Sequence, residues 1–468
     1  MRGAPRPAIM PRMTDERRER EPRDPARLRE AARAVAARLR EAGHIAYFNG
    51  GCVRDRLLGI APKDHDIATD ARPQRVQDLF PRTVPVGAQF GVIIVVSPEG
   101  FPFEVATFRA DAEYKDGRHP SAVHFGDPRE DALRRDFTIN GLFEDPETGE
   151  VIDFVGGRAD LERRVIRAIG EPRERFGEDR LRLLRAVRFA AQLDFEIDPG
   201  TLAAVTELAP EVRSVAAERV REEIAKLIRA RGRVRGLELL RATGLLGVLL
   251  PEVAALEGVA QPPEYHPEGD CWVHQLLVMK HLEPEPPDET LAWGALLHDI
   301  GKPPTFRVAE RIRFDGHADV GARMADVVLR RLKASNELRE AAVELVADHL
   351  RFADVPRMKE STLKKFLRNP RIELHLALHR ADCLASHGKL DTHRFCIEQL
   401  ARFREEGERE ALRPKPLLTG NDLIAAGYAP GPRFKEILGA LEDAQLEGKL
   451  KTREEALAWV GERFPRPN

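Results

Sequence analysis

Long apolar runs are missing from this chain. No window of its 468 residues holds the ~18 uninterrupted apolar residues that a membrane span needs. The N-terminus also lacks the apolar core of a secretory signal. Cysteine is scarce: Cys52, Cys271, Cys383 and Cys396 are the only four, and no two form a CxxC pair. That argues against a disulfide framework or a thiolate zinc site, and for a reducing cytoplasm. A charge excess of one sign is missing too, the formal net charge being −2. No internal repeat is present.

What is there is a globular composition, 42% hydrophobic and 32% charged, able to bury real cores and long enough for roughly three domains. The near-zero net charge hides segregation. Between Arg158 and Arg188 ten arginines face six acids, and between Arg213 and Arg235 eight basic residues face three acids. Such stretches suit phosphate neutralisation, although solvated helix faces give the same pattern.

Residues 1–26 are rich in Arg, Pro and Glu and read as a disordered tail, or as a start placed upstream of Met10 or Met13. A helix follows from about Pro25, with Leu28, Ala32, Val35 and Leu39 at helical spacing and Gly43 closing it. A small α/β unit comes next. The run His44–Asn49 ends in Gly50-Gly51; Gly91–Ser97 is a β-branched strand, and Phe101–Phe108 alternates as its hairpin partner. From about residue 160 the segments are helical, interrupted by Pro-rich breaks at Gln261–Pro263, Glu283–Pro287 and Arg413–Pro416. The expected organisation is a tail (1–26), a head (27–165), a helical neck (166–258), a helical domain (259–405) and a C-terminal helical piece (406–468).

The first constellation lies in GGCVRDRLLG and KDHDIATDA. Asp64 and Asp66 are two residues apart, so on a strand both point to one face. Paired carboxylates suit Mg²⁺, which prefers oxygen ligands. Two-metal chemistry, with ions about 3.5–4 Å apart, usually takes a third carboxylate. Glu104 fits, as an acid between Phe103 and Val105 on a predicted adjacent strand. Gly50 and Gly51 let backbone N–H groups approach a phosphate at a helix start, and Arg54 is placed to contact a triphosphate. Each piece alone is common surface or turn chemistry; the combination in this order is specific.

Through GGCVRDRLLG, KDHDIATDA, FEVATFR, RRDFTINGL and GEDRLRLLRAVRFA the chain resembles the class II tRNA nucleotidyltransferase and bacterial poly(A) polymerase family, within the DNA polymerase β superfamily. The resemblance covers nearly the whole chain after the tail. It implies an α+β fold: a small polymerase-β-like nucleotidyltransferase head, then an elongated all-α region. Asp64 and Asp66 match the catalytic metal-binding pair and Glu104 the third acid. Gly50, Gly51 and Arg54 match nucleotide-contacting positions. Arg135, Asp136 and Asn140 match the motif that holds the incoming ribose and triphosphate. Asp179 and Arg182 match the pair that reads the incoming base, and Arg185 and Arg188 further nucleotide-binding positions. An i, i+3 pair on one helix face can set carboxylate acceptors beside a guanidinium fork, which suits both cytosine and adenine; an ordinary helix ion pair has the same spacing. The segment Asp111–Phe125, with Tyr114, Asp116, Gly117 and Arg118, matches the family's flexible loop in full length, which weighs against addition of CC alone.

A second constellation follows. His298-Asp299 in LLHDIGK is preceded by His274 and followed by His317, His349 and Asp382. This order resembles the HD-type metal phosphohydrolase superfamily. Imidazole and carboxylate ligands favour a transition metal, and ions there would acidify a water for hydrolysis. The competing reading is a relic domain that only shapes an RNA-binding surface. The C-terminal piece is family-like and carries no assignable chemistry.

The resemblance therefore implies template-independent addition of CCA to tRNA from CTP and ATP, by two Mg²⁺ ions, in the cytoplasm, with no membrane partner and the oligomeric state open. The near alternative is an A-adding enzyme or poly(A) polymerase on the same fold. The distant ones are an HD phosphohydrolase with an RNA-binding head, and a non-catalytic RNA-binding protein.

Overall fold

The computed structural model describes residues 24–87, 91–111, 123–405 and 412–465. Most of the expected tail lies outside them, as do Tyr114, Asp116, Gly117 and Arg118 of the long loop. The chain divides into two compact units, one ending at Glu178 and one beginning at Asp179.

The first unit opens with α1 (Pro25–Glu41), capped by the Asp24 side chain, which accepts from the Ala26 N–H. Its buried stripe is Leu28, Ala32, Val35 and Leu39, the spacing that makes it a helix. A seven-stranded sheet follows, in the order β3-β4-β5-β2-β1-β8-β9. Its strands are β1 (Ala46–Asn49), β2 (Asp66–Thr69), β3 (Thr83–Gly87), β4 (Val92–Val96), β5 (Pro102–Thr107), β8 (Leu142–Glu144) and β9 (Val151–Asp153). The intervening β6 (Arg109–Asp111) and β7 (Val123–Phe125) pair with each other. β4 and β5 form the expected hairpin. β2 and β5 run parallel, with Ile67 opposite Val105. That register places Asp66 and Glu104 at one level of adjacent strands, on the face opposite the buried Ile67 and Val105.

Helices α2 (Gly51–Leu57), α3 (Pro73–Leu79), α4 (Pro128–Leu133), α5 (Gly157–Arg163) and α6 (Pro172–Glu178) complete the unit. It runs past residue 165 for a local reason. The Thr138 N–H donates to the Arg167 carbonyl at 2.9 Å and the Ile169 N–H to that of Asp136 at 3.1 Å. The Thr138 hydroxyl also donates to Asp160 at 2.7 Å.

The second unit is helical apart from short strand pairs. It begins with α7 (Leu181–Leu193), α8 (Pro199–Leu208), α9 (Ala217–Ile228), α10 (Arg233–Ala242), α11 (Leu245–Leu249) and α12 (Pro251–Ala254). Next come α13 (Cys271–Lys280), α14 (Glu289–Leu297), α15 (Lys302–Thr305), α16 (His317–Arg331), α17 (Asn336–Asp348), α18 (Glu360–Leu367), α19 (Ile372–Ala385) and α20 (Asp391–Glu405). α14 is buried all round, from Leu291 to Leu297, with Trp293 fully enclosed, which is why its sequence is apolar without a polar face. The last helices, α21 (Gly420–Ala425), α22 (Pro432–Leu446) and α23 (Arg453–Arg463), pack their own core around Leu423, Ile437 and Val460. All four cysteines are free and buried. Among the described residues no helix is long and apolar enough to cross a membrane.

Candidate functional site

In the head, Asp66 opens β2, whereas Asp64 lies in the loop before it and is exposed. The expected strand pair is thus half on the strand. The alternation still holds, because His65 between them is buried, its ring edge-on to Phe48 with centroids 5.2 Å apart. Burial together with the charges of Glu104 and Asp64 pushes the Asp66 carboxyl up to about 7. The Glu104 carboxyl is raised as well, by desolvation against the sheet and then by Asp64. The negative charges of the three carboxylates therefore oppose one another. Such a set fits a cation better than it fits water.

The turn into α2 needs glycine. Gly50 has φ +68°, and a Cβ there would sit 3.1 Å from Nη1 of Arg135. Behind it is one hydrogen-bonded network. Arg54 is buried; it donates to Asn140 Oδ1 at 2.7 Å and, through Nε and Nη2, to Asp55 Oδ1 at 2.8 and 2.6 Å. Arg135 donates to Asp131 Oδ2 at 2.8 Å, to Asn49 Oδ1 at 2.8 Å and to the Asn140 carbonyl at 3.3 Å. Asp136 Oδ1 accepts from the Phe137 N–H at 2.8 Å and from Asn140 Nδ2 at 3.1 Å. Four of the expected nucleotide-binding residues therefore lock α2 to the segment around Asn140.

Asp179 and Arg182 do not form the expected helix pair. Asp179 stands before α7, where its Oδ1 accepts from the Leu181 N–H at 3.1 Å. Its ion-pair partner is Arg219 of α9, which donates through Nη1 at 3.2 Å and Nη2 at 2.7 Å. Arg182 is buried one turn into α7. Arg188 is buried too, donating to Glu223 and, at 2.7 Å, to Gln192 Oε1. Arg185 lies 3.9 Å from Glu223. Burial would raise the Glu223 carboxyl, but Arg188 and Arg185 outweigh it and hold it below the usual range.

All six expected HD residues converge. His274 Nε2 is 3.1 Å from Asp382 Oδ1 and 3.7 Å from Asp299 Oδ2. His298 Nε2 is 3.3 Å from Asp299 Oδ2, while His317 and His349 approach Asp299 Oδ1 at 3.5 and 3.8 Å. The other ring nitrogens are anchored: those of His298, His317 and His349 face the Ala295, Phe314 and Val346 carbonyls at 2.8, 2.9 and 2.6 Å. His274 Nδ1 meets Glu268 at 2.7 Å. With its Nδ1 side anchored, each ring turns Nε2 toward the centre, the arrangement by which outer partners orient metal-ligating histidines. His274–His298–Asp299 and Asp299–His317–His349 each bring ligand atoms within 4.8 Å of one another. Buried Nε2 of His274, Nε2 of His298 and Oδ2 of Asp299 have no well-directed hydrogen bond. That orphaned set fits a divalent metal ion, which these residues would hold.

Burial opposes charge on His274, but Asp382 and Glu268 overcome it and push it up to about 9. Burial and His298 push His349 down to about 4. Burial would raise Asp299, yet His298 and Lys302 hold it well below the carboxylate range. Gly301 lets the chain close here, since a Cβ would collide with the His317 carbonyl.

Sequence reasoning missed several partners. Lys302, 2.7 Å from Asp299 Oδ2 and 2.6 Å from Gln261 Oε1, was visible as the lysine of LLHDIGK. Asp131 stands four residues before Arg135, a spacing open to sequence reading, whereas Glu268 and Arg219 sit at no diagnostic spacing from the residues they orient.

Family models match the chain in four stretches. These are the poly A polymerase head domain over residues 46–167, the RNA and SrmB-binding site of polymerase A over 194–256, the HD domain over 272–386, and tRNA nucleotidyltransferase domain 2 over 394–460. The CCA-adding enzyme of Levilactobacillus brevis is 35% identical over 432 residues, covering 92% of this chain and 96% of that protein. The crystal structure of the Bacillus stearothermophilus CCA-adding enzyme in complex with CTP superposes with a TM-score of 0.70 at 31% identity, over 93% of this chain and 97% of that one. The Thermotoga maritima CCA-adding enzyme complexed with tRNA shares the fold, with a TM-score of 0.56 at 19% identity over 94% and 98% of the two chains.

Proposed function

The chain belongs to the CCA-adding enzyme family, and from that premise we propose that it builds the CCA end of tRNA from CTP and ATP. The observation that carries this reading is the register of adjacent strands that sets Asp66 level with Glu104, with Asp64 in the loop just before Asp66 and Asp66 raised to about 7. The tRNA 3′-hydroxyl oxygen bonds to the α-phosphorus, the bond between α-phosphorus and bridging oxygen breaks, pyrophosphate leaves, and the hydroxyl proton passes to solvent. Two Mg²⁺ ions held by these carboxylates would supply Lewis acidity to the attacking oxygen and the triphosphate. Gly50 and Gly51 admit the triphosphate beside the backbone. Arg54, Arg135, Asp136 and Asn140 hold the turn that receives the nucleotide. Asp179 and Arg182 read the base, with Arg219 orienting Asp179, and Arg185 and Arg188 shape the same pocket wall. The Arg-rich neck binds the acceptor stem by phosphate and shape contacts.

The HD residues constitute a second centre, selective for a transition metal by its imidazole content, that hydrolyses a phosphoester such as a 2′,3′-cyclic phosphate on a damaged RNA end. Such a reaction would clean an end before the head extends it. Both reactions belong in the cytoplasm, where the thiols stay reduced.

The test is incorporation into tRNA ending before CCA, supplied with CTP, ATP or both. Two C followed by one A supports the proposal; growth with ATP alone would assign an A-adding enzyme or poly(A) polymerase. Asp64→Ala or Asp66→Ala should abolish incorporation with the fold intact, and near wild-type incorporation by either would remove the head assignment.

A further inference from the structure

The HD centre opens into a cavity of about 470 Å³, lined among others by Tyr265, Lys302, Arg311, Arg313 and Phe314 with Asp299 at its base. That volume is of small-molecule size. One wall is the hairpin of Arg307–Val308 and Ile312–Arg313. The hairpin sets Arg307 directly opposite Arg313, a like-charge pair that destabilises a strand pairing unless an anion answers it. Arg307 is answered by Asp315 at 3.1 Å. Arg313 has no ion pair or side-chain hydrogen bond among the described residues. Arg311 lies 5.9 Å over the Tyr265 ring and donates to its hydroxyl at 3.3 Å. Tyr265 is 52% exposed, an aromatic face left open beside a cationic wall. Buried metal-ligand chemistry below, an unanswered guanidinium on the wall and an open aromatic ring at the mouth match the three parts of a nucleotide ester.

We propose that Tyr265, Arg311 and Arg313 form a subsite for one terminal nucleotide, through which the HD centre selects the phosphorylated end of an RNA. The base stacks on Tyr265, as bases of single-stranded ends do on aromatic side chains. Arg311 fixes the ring through its hydroxyl. Arg313 holds a non-bridging phosphate oxygen and turns the phosphorus toward Asp299. Water oxygen then bonds to phosphorus, the ester P–O bond breaks, and the departing alkoxide takes the proton that water gives up. This subsite rests on the reading of the HD residues as a metal-dependent phosphohydrolase.

The experiment compares three substrates on the full-length holoenzyme: a 2′,3′-cyclic mononucleotide, an oligoribonucleotide ending in a 2′,3′-cyclic phosphate, and glycerol 1,2-cyclic phosphate, which has no base. In Tyr265→Ala the KM for both nucleotide esters should rise about tenfold, the loss of one stacked base, with kcat held. The preference over the glycerol ester should collapse accordingly, and Tyr265→Trp should restore it. Arg313→Ala should raise KM for all three esters, with partial recovery in Arg313→Lys. Metal content, read by elemental analysis, and CCA addition should stay at wild-type level in every variant. A lower KM for the oligoribonucleotide than for the mononucleotide assigns the site to RNA ends; the reverse order assigns it to free nucleotides and overturns the RNA claim. Unchanged KM values in Tyr265→Ala and Arg313→Ala overturn the subsite. A wild-type protein that binds metal at no site in the HD domain and hydrolyses none of the esters removes the hydrolase reading instead. In that case quenching of the Tyr265→Trp fluorescence by the oligoribonucleotide, beyond that of the wild type, retains the subsite as a binding site, and its absence overturns it.

Discussion

Replacing Asp66 by asparagine should make the protein more stable while destroying its activity. The carboxyl stands at about 7 against an ordinary 3.8, through burial and the charges of Glu104 and Asp64. At about 1.4 kcal/mol per pKa unit, its ionised form costs the fold up to about 4 kcal/mol. The carboxylate is partly open to water, and solvent screening reduces this to about 1–2 kcal/mol. The sign follows from linkage. A carboxyl whose folded pKa is raised gives the folded state more bound protons than the unfolded state between pH 3.8 and about 7, so stability falls as pH rises through that window and is level above it. Asp66→Asn removes the penalty. At pH 8 in EDTA the variant should melt higher by about 2–8 °C, taking about 2–4 °C per kcal/mol for a domain of this size. The difference should shrink to about half near pH 5.5, where only part of the window has been crossed. Added Mg²⁺ should raise the wild-type transition and not the variant's, because ligand binding stabilises only a fold that holds the ligand. Incorporation should drop by about three orders of magnitude or more, since a lost ligand removes several kcal/mol of transition-state stabilisation. A variant no more stable than wild type at pH 8 in EDTA would refute the charge-crowding argument, and with it the reason given for cation binding.

Three further outcomes are expected. Arg219→Ala should raise misincorporation of UTP and GTP by about tenfold, as Asp179→Ala or Arg182→Ala should, with Arg219→Lys restoring part of the selectivity; unchanged selectivity in single-turnover competition would make the Arg219–Asp179 pair purely structural. Glu223→Ala should destabilise the second unit by about 3–5 kcal/mol by removing the carboxylate that balances the buried Arg188, measured by denaturant unfolding, while Glu223→Gln costs less; equal stabilities would contradict that pairing. His298→Ala combined with Asp299→Ala should remove transition metal from the dialysed protein and spare nucleotide addition, and retention of stoichiometric metal would show the centre is built otherwise.

How much was legible depended on whether a residue's partner lay nearby in sequence. The β4/β5 hairpin, the Gly50 turn and the α1 stripe come from local periodicity and local backbone demands, so they read directly. Glu104 was legible because an acid on an otherwise buried strand is out of place there. The six HD residues were legible as an order along the chain, although nothing local says that they meet. The i, i+3 spacing of Asp179 and Arg182 suggests one helix face, but Asp179 stands before α7. Asp179 accepts from the Leu181 N–H and so ends one helix and starts the next, which turns it toward Arg219 on α9. Arg54 and Arg135 were read as ligands for a triphosphate; their first engagement is with Asn140 and Asp131. Those contacts cross 86 and 4 residues respectively, and only the shorter one is visible as a spacing.

The two centres hold like groups together by opposite means, which bears on how each responds to its ions. In the head, Asp64 and Glu104 are exposed, so water screens part of their repulsion and an ion can enter and leave with each turnover. Mg²⁺, which keeps much of its hydration shell, suits that openness. In the HD centre the ligands are enclosed, and every Nε2 is fixed by a partner on its Nδ1 side. A ligand set ordered beforehand loses little entropy on binding, and imidazole binds first-row transition metals more tightly than it binds Mg²⁺. The head should therefore follow the free Mg²⁺ concentration, while the HD centre should carry its metal through purification. One dialysis against EDTA, followed by return of Mg²⁺ alone, separates the two: nucleotide addition returns at once and hydrolysis does not.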